Sequence, residues 1–150
     1  MDLNKLSLGD RIVAGLGIVE FLLLLIVPWH SVDIPFGGGT VTLSPLDGEG
    51  GAVAWPAFLA LLVLIALVAI VLIRKLAPQV KLPELPIAWN LAIFYAAIAV
   101  PVLLFLKLIL QTDALSFWAY ILILIGAGIA YGGFLISKEP ETSTAPPAPF

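Results

Sequence analysis

Four runs of predominantly apolar residues, at about 11–29, 52–73, 87–110 and 114–136, take up most of the chain. Each is close to the roughly 20 residues that a helix needs to cross a hydrocarbon core about 30 Å thick. Such a pattern restricts the chain to one class of fold: an all-α membrane protein, a four-transmembrane-helix bundle whose solvent is lipid. Composition agrees, with 61% hydrophobic and only 11% charged residues, against about a quarter charged in soluble domains. The seven basic and ten acidic residues fall almost entirely between the runs. A net charge of −3 offers no basic patch for nucleic acid. Without cysteine there is neither a disulfide framework nor a thiolate metal site.

The first run, RIVAGLGIVEFLLLLIVPW, follows Lys5 and Arg11 as a signal peptide would. It ends in Pro28-Trp29-His30 without a small-x-small cleavage pattern, so it reads as a retained signal-anchor helix. Ser7 and Asp10 are both suitable N-caps for it. Trp29 and His30 suit the membrane interface. In the long polar connection that follows, Val32–Phe36 and Thr40–Leu43 are β-prone and separated by three glycines, which predicts a small external β-hairpin. Pro35 makes its first arm an edge strand.

Trp55-Pro56 opens the second span, and Arg74-Lys75 closes it. The linker RKLAPQVKLPELP holds three prolines and cannot be a continuous helix. Pro101 interrupts the hydrogen-bond ladder of the third span and predicts a kink there. Gln111-Thr112-Asp113 is so short that the third and fourth spans must form an antiparallel hairpin. Residues 1–136 therefore read as one transmembrane domain. The Pro/Ser/Thr-rich stretch 137–150 reads as a disordered cytoplasmic tail.

Four spans place both termini and the 74–86 linker on one side. That side holds Lys5, Arg11, Arg74, Lys75, Lys81 and Lys138, six of the seven basic residues. The positive-inside rule makes it cytoplasmic, giving a multi-pass protein of the plasma membrane with both termini inside.

One residue breaks the apolar pattern of the first run. Glu20 lies nine residues after Arg11 and eight before Pro28, about 12–14 Å from either boundary at about 1.5 Å per residue. A carboxylate at that depth must be protonated, paired or hydrated. Gly17, one turn away on the same stripe, would let another helix approach closely. Lys107 is the only cation within a span, but its position near the external boundary suggests that it snorkels there. Tyr120, roughly 9 Å into the fourth span, matches the depth better. The expectation is a Glu20 that is buried, neutral and hydrogen-bonded to Tyr120. As an internal pin it would fix helix register; as a functional site it would bind a proton or cation.

In the fourth span, Gly128-x-x-x-Gly132 is a close-packing signature, for the bundle itself or for another subunit. The boundary aromatics Trp55, Trp89, Phe117 and Trp118 read as interfacial anchors. His30 and Asp33 supply too few ligands for a metal, and Asp47-Gly48-Glu49 lacks the rest of a calcium loop. With one histidine and no cysteine, no nucleophile–base arrangement points to an enzyme, and no cofactor is expected.

The stretches LSLGDRIVAGLG, LLLLIVPWHSV, AVAWPAFLALLVLIALVAIVLIRKL and FWAYILILIGAGIAYGGFL together resemble a group of small bacterial four-span membrane proteins common in actinobacteria. Pro28-Trp29 matches the PW that usually ends their first span. The resemblance implies fold and membrane location and carries over no functional residue. A long first and short second external loop is also similar to the layout of claudin-like tetraspans, without their paired external cysteines.

The expected function is that of a non-catalytic membrane protein, an accessory or scaffold subunit. Its partners would be the lipid bilayer and either further copies of itself or a larger membrane complex. The alternative is a small proton or cation channel or transporter using Glu20.

Overall fold

A computed structural model of the chain describes residues 3–47 and 53–140. After a single 3-10 turn, Leu3–Lys5, the elements are α1 (Leu8–Ile26), β1 (His30–Ile34), β2 (Gly39–Leu43), α2 (Trp55–Leu76), α3 (Trp89–Leu110) and α4 (Phe117–Ser137). Gly48, Glu49 and the tail beyond residue 140, to which the calcium-loop fragment and most of the disordered tail were assigned, lie outside the described residues.

The helix ends follow local chemistry. Ser7 caps α1 and Asp10 completes the capping box: the Asp10 amide donates to Ser7 Oγ (3.2 Å) and the Ser7 amide to Asp10 Oδ2 (2.9 Å). Between the two candidate caps Ser7 prevails, because Asp10 at the third helical position can answer it. Pro56 opens α2, where its missing amide costs nothing. Ser116 caps α4 through Trp118, so that helix starts three residues later than the hydropathy pattern suggests. The α3 helix runs through Pro101 without a break.

Asp10 on α1 reaches Lys75 on α2, and Arg74 reaches Asn90 on α3. Successive helices are therefore antiparallel. Packing joins α1 to α2, α2 to α3, α3 to α4 and α4 back to α1. The core between them consists of Val13, Leu24, Leu64, Val100, Leu104, Leu122 and Ile129 with their neighbours. The outer surface carries Ile18, Leu22 and Leu25 of α1, Phe58, Leu62 and Ile65 of α2, Val102, Phe105 and Ile109 of α3, and Leu124 and Phe134 of α4, all exposed. A soluble bundle would place polar residues there. Three helices, α2, α3 and α4, are long and apolar enough to cross a membrane. The α1 helix spans 19 residues but includes Asp10, Arg11 and Glu20, and so does not match the other three in composition.

The contacts are closest at glycines. A Cβ on Gly133 would lie 2.5 Å from Ala97 Cβ and 3.3 Å from Phe94 Cα; one on Gly9 would lie 2.9 Å from the Gly132 carbonyl oxygen. Gly126 sits against the Pro101 ring. Gly133→Ala should therefore lower stability by about 1–3 kcal/mol through overpacking. Gly15 faces open space, so Gly15→Ala should raise helix stability by about 0.5–1 kcal/mol. Unfolding of the detergent-solubilised protein in increasing denaturant would show the two variants moving in opposite directions.

The hairpin forms as expected, with its first arm beginning two residues and its second arm one residue earlier than the sequence suggests. His30 pairs with Leu43, Val32 with Val41 and Ile34 with Gly39. Pro35 lies in the turn and not in an arm. Gly37 and Gly39 hold φ of 82°, and Phe36 holds φ of 66°.

Candidate functional site

Three polar regions are stacked along the bundle: a clasp at the end that carries the N-terminus of α1, a single carboxyl in the middle, and a cap at the hairpin end.

The clasp joins all four helices. Buried Asp10 lies 3.5 Å from Lys75 Nζ, and Glu139, two residues past α4, lies 3.8 Å from the same amine. Arg74 Nη2 donates to Asn90 Oδ1 (2.8 Å), while Asn90 Nδ2 donates to the Glu139 carbonyl (3.1 Å). Helix-end groups that would otherwise be orphaned thus close on each other. This cluster was missed in the sequence, although every member lies on the side where the basic residues gather. Asp10→Ala keeps the Ser7 cap but loses the return half of the capping box and a buried ion-pair partner, and should cost about 1–2 kcal/mol. Glu139→Ala removes a partly exposed carboxylate but keeps the carbonyl that Asn90 uses, and should cost about 0–1 kcal/mol. Thermal unfolding of the two variants in the same detergent checks that order.

At the hairpin end, Trp29 and His30 are not interfacial anchors with one wet side. Trp29 is wholly buried and His30 nearly so, because the chain turns back over the bundle. The Trp29 amide donates to the Leu43 carbonyl (2.8 Å), and its carbonyl accepts from the Ser116 amide (2.8 Å). The Ser116 hydroxyl donates to the Pro28 carbonyl, and His30 Nδ1 pairs with the Asp113 carbonyl (3.0 Å). Lys107 does not snorkel to water. It is fully buried, donates to the Val53 carbonyl, and holds its Nζ 5.4 Å from the centre of the Trp29 ring. The physical reason is the cap: Val53 and Trp29 at the base of the hairpin lie over this end of α3, and Gln111 Oε1 accepts from the Val53 amide (2.9 Å). The ammonium thus finds a carbonyl and an aromatic face inside the cap. Asp33 is exposed and accepts from the Thr40 hydroxyl (2.7 Å), so it does not join His30. Among the described residues no group of three or more metal-ligating side chains occurs.

Glu20 is buried as expected, with no accessible surface. Tyr120 is not its partner: that side chain is 53% exposed on the outside of α4. Among the described residues neither carboxyl oxygen of Glu20 has a hydrogen-bond partner. Tyr120 and Glu20 match in depth along the axis, but depth does not determine which way a helix turns its side chains. Gly17 does what its position implies, since a Cβ there would lie 2.5 Å from Val68 Cγ2 of α2. Gly128 and Gly132 are both occupied within the chain: the first meets Leu16, the second Ile12 and Val13.

Outside the bundle, the hairpin is two-faced. Val32, Ile34 and Val41 share one face and Ser31, Asp33, Thr40 and Thr42 the other, by the strand alternation. All three apolar residues are exposed, and Phe36 at the tip is completely so. Comparison with known protein families, with characterised proteins and with solved structures finds no match to this chain.

Proposed function

We propose that the chain is a non-catalytic, four-span protein of a bacterial plasma membrane that acts as an accessory or scaffold subunit, and that its external hairpin is the contact it offers to a partner. One observation carries the partner contact: Phe36 is fully exposed while held at φ 66°. A large aromatic residue in the left-handed region costs about 1–2 kcal/mol over glycine. Solvent gives nothing back for that cost, whereas a partner pocket would.

The fourth span is α1. Its ionisable residues do not interrupt a lipid-facing surface: Asp10 is buried in the clasp, Arg11 lies in the first turn, and Glu20 points inward. What α1 shows outward is Ile18, Val19, Leu22, Leu25 and Ile26. The distribution of basic residues supports an orientation with the clasp inside and the hairpin outside. A channel through the single bundle is disfavoured by its interior, which is filled by apolar side chains from all four helices.

Because the chain has no cysteine, topology is directly measurable. Phe36→Cys should react with a membrane-impermeant maleimide on intact cells, and Val80→Cys only after permeabilisation. The opposite pattern would refute the orientation. For the partner, gentle detergent extraction should recover a co-purifying membrane protein with the wild type. Phe36→Gly should lose it, while folding as stably or up to about 1–2 kcal/mol more so. Recovery of the wild type as a monomer alone counts against the subunit reading.

A further inference from the structure

Glu20 is used by neither the clasp, the cap nor the hairpin. Its surroundings define what it can bind. It is on the inward stripe of α1 between Gly17 and Leu24, with no accessible surface and no partner among the described residues. No titratable residue lies on α2 between Trp55 and Arg74. On α4, Tyr120 and Tyr131 are both exposed outward, and on α3 Tyr95 is exposed and Lys107 is engaged beneath Trp29. On α1 itself, Asp10 and Arg11 are ten and nine residues away, about 14–15 Å along the helix axis, and His30 lies beyond the end of α1, paired with the Asp113 carbonyl. Among the described residues no counter-ion faces the carboxyl from any element packed against it.

The available occupants are narrowed by space and by ligand number. A groove of about 240 Å³ between α1 and α2 is lined by Gly17, Phe21, Leu64 and Val68 with their neighbours, and Glu20 is not part of its lining. A metal cation needs several oxygen ligands, and only the one carboxylate is present. An ionised carboxylate alone in this interior would bear a large desolvation cost. A proton needs neither added volume nor further ligands.

We propose that Glu20 is an occluded proton-binding site in the middle of the bundle, protonated whenever α1 is packed against α2 and α4 and able to release its proton only when that packing opens. The closed state then binds one proton more than the open state. Stability of the closed state therefore falls as pH rises above the range in which an opened Glu20 ionises, by up to tenfold in the opening constant per pH unit for as long as the closed state keeps its proton. This inference does not depend on the subunit reading, and a failed co-purification leaves it untouched.

Infrared spectroscopy of the full chain in lipid tests it. The expected result is a protonated-carboxyl C=O band at neutral pH that is absent from Glu20→Gln and shifts slowly on transfer to deuterium oxide. Absence of the band, or a shift as fast as that of exposed carboxyls, would overturn the proposal. In parallel, the opening equilibrium of the wild type should steepen with pH relative to Glu20→Gln, other titrating groups being common to both. Equal pH dependence in the two proteins would also overturn it. If Glu20→Gln does not fold, Glu20→Leu, which removes the carboxyl and fills the same space with apolar atoms, serves as the reference.

Discussion

In lipid, helices gain nothing by hiding apolar side chains from their surroundings, so they must associate through close packing and polar contacts. The structure depends on that constraint. Its answer is small residues at nearly every helix seam. Gly132 and Gly128 receive Ile12, Val13 and Leu16 of α1; Gly133 and Gly126 receive Ala97 and Pro101 of α3; Gly17 receives Val68 of α2. The α4 helix thus has glycines on two faces and serves as the spine against which α1 and α3 pack. Pro101 fits the same logic. Its ring fills the space that Gly126 leaves, which turns a helix breaker into a packing element.

Polar groups are then concentrated where the seams end. At one end Asp10, Arg74, Lys75, Asn90 and the Glu139 carbonyl draw together the termini of four helices. At the other, Trp29, Lys107, Ser116 and Gln111 attach the returning chain to α3 and α4. The two ends differ in kind. The clasp is ionic and partly open to water, whereas the cap is built on backbone carbonyls and one aromatic ring. A buried lysine is tolerable in the cap because a carbonyl and a π face replace its water. The hairpin is therefore fixed at its base and free at its tip.

Hydropathy reveals the helices and their number, and the glycine spacing reveals the hairpin, because both depend on residues close in sequence. The even number of helices places the start of α1 and the end of α4 at one end, where Asp10 and Glu139 share Lys75. What the sequence does not disclose is direction around a helix axis. The pairing of Glu20 with Tyr120 rested on equal depth, and α4 turns Tyr120 outward. The outward assignment of Lys107 rests on nearness to an end, and Val53 and Trp29 make that end an interior. Of the six glycines of α1 and α4 that pack closely on a neighbouring helix, Gly17, Gly128 and Gly132 are marked by the sequence pattern. Gly9, Gly126 and Gly133 are set in ordinary apolar stretches and gain meaning only once the partner helix is in place.

The stripe of α1 that carries Glu20 also sets what the residue can be for. Its neighbours Val13, Gly17 and Leu24 are all buried and all serve packing. A leucine at position 20 would continue that stripe and would leave no orphaned oxygen in the core. An unpartnered carboxyl is costly in such an interior even when neutral, and among the described residues Glu20 holds no hydrogen bond across any seam. A carboxyl retains one property there that leucine lacks, which is the ability to take up and give back a proton, and in a closed bundle that property is coupled to whether the helices are together or apart.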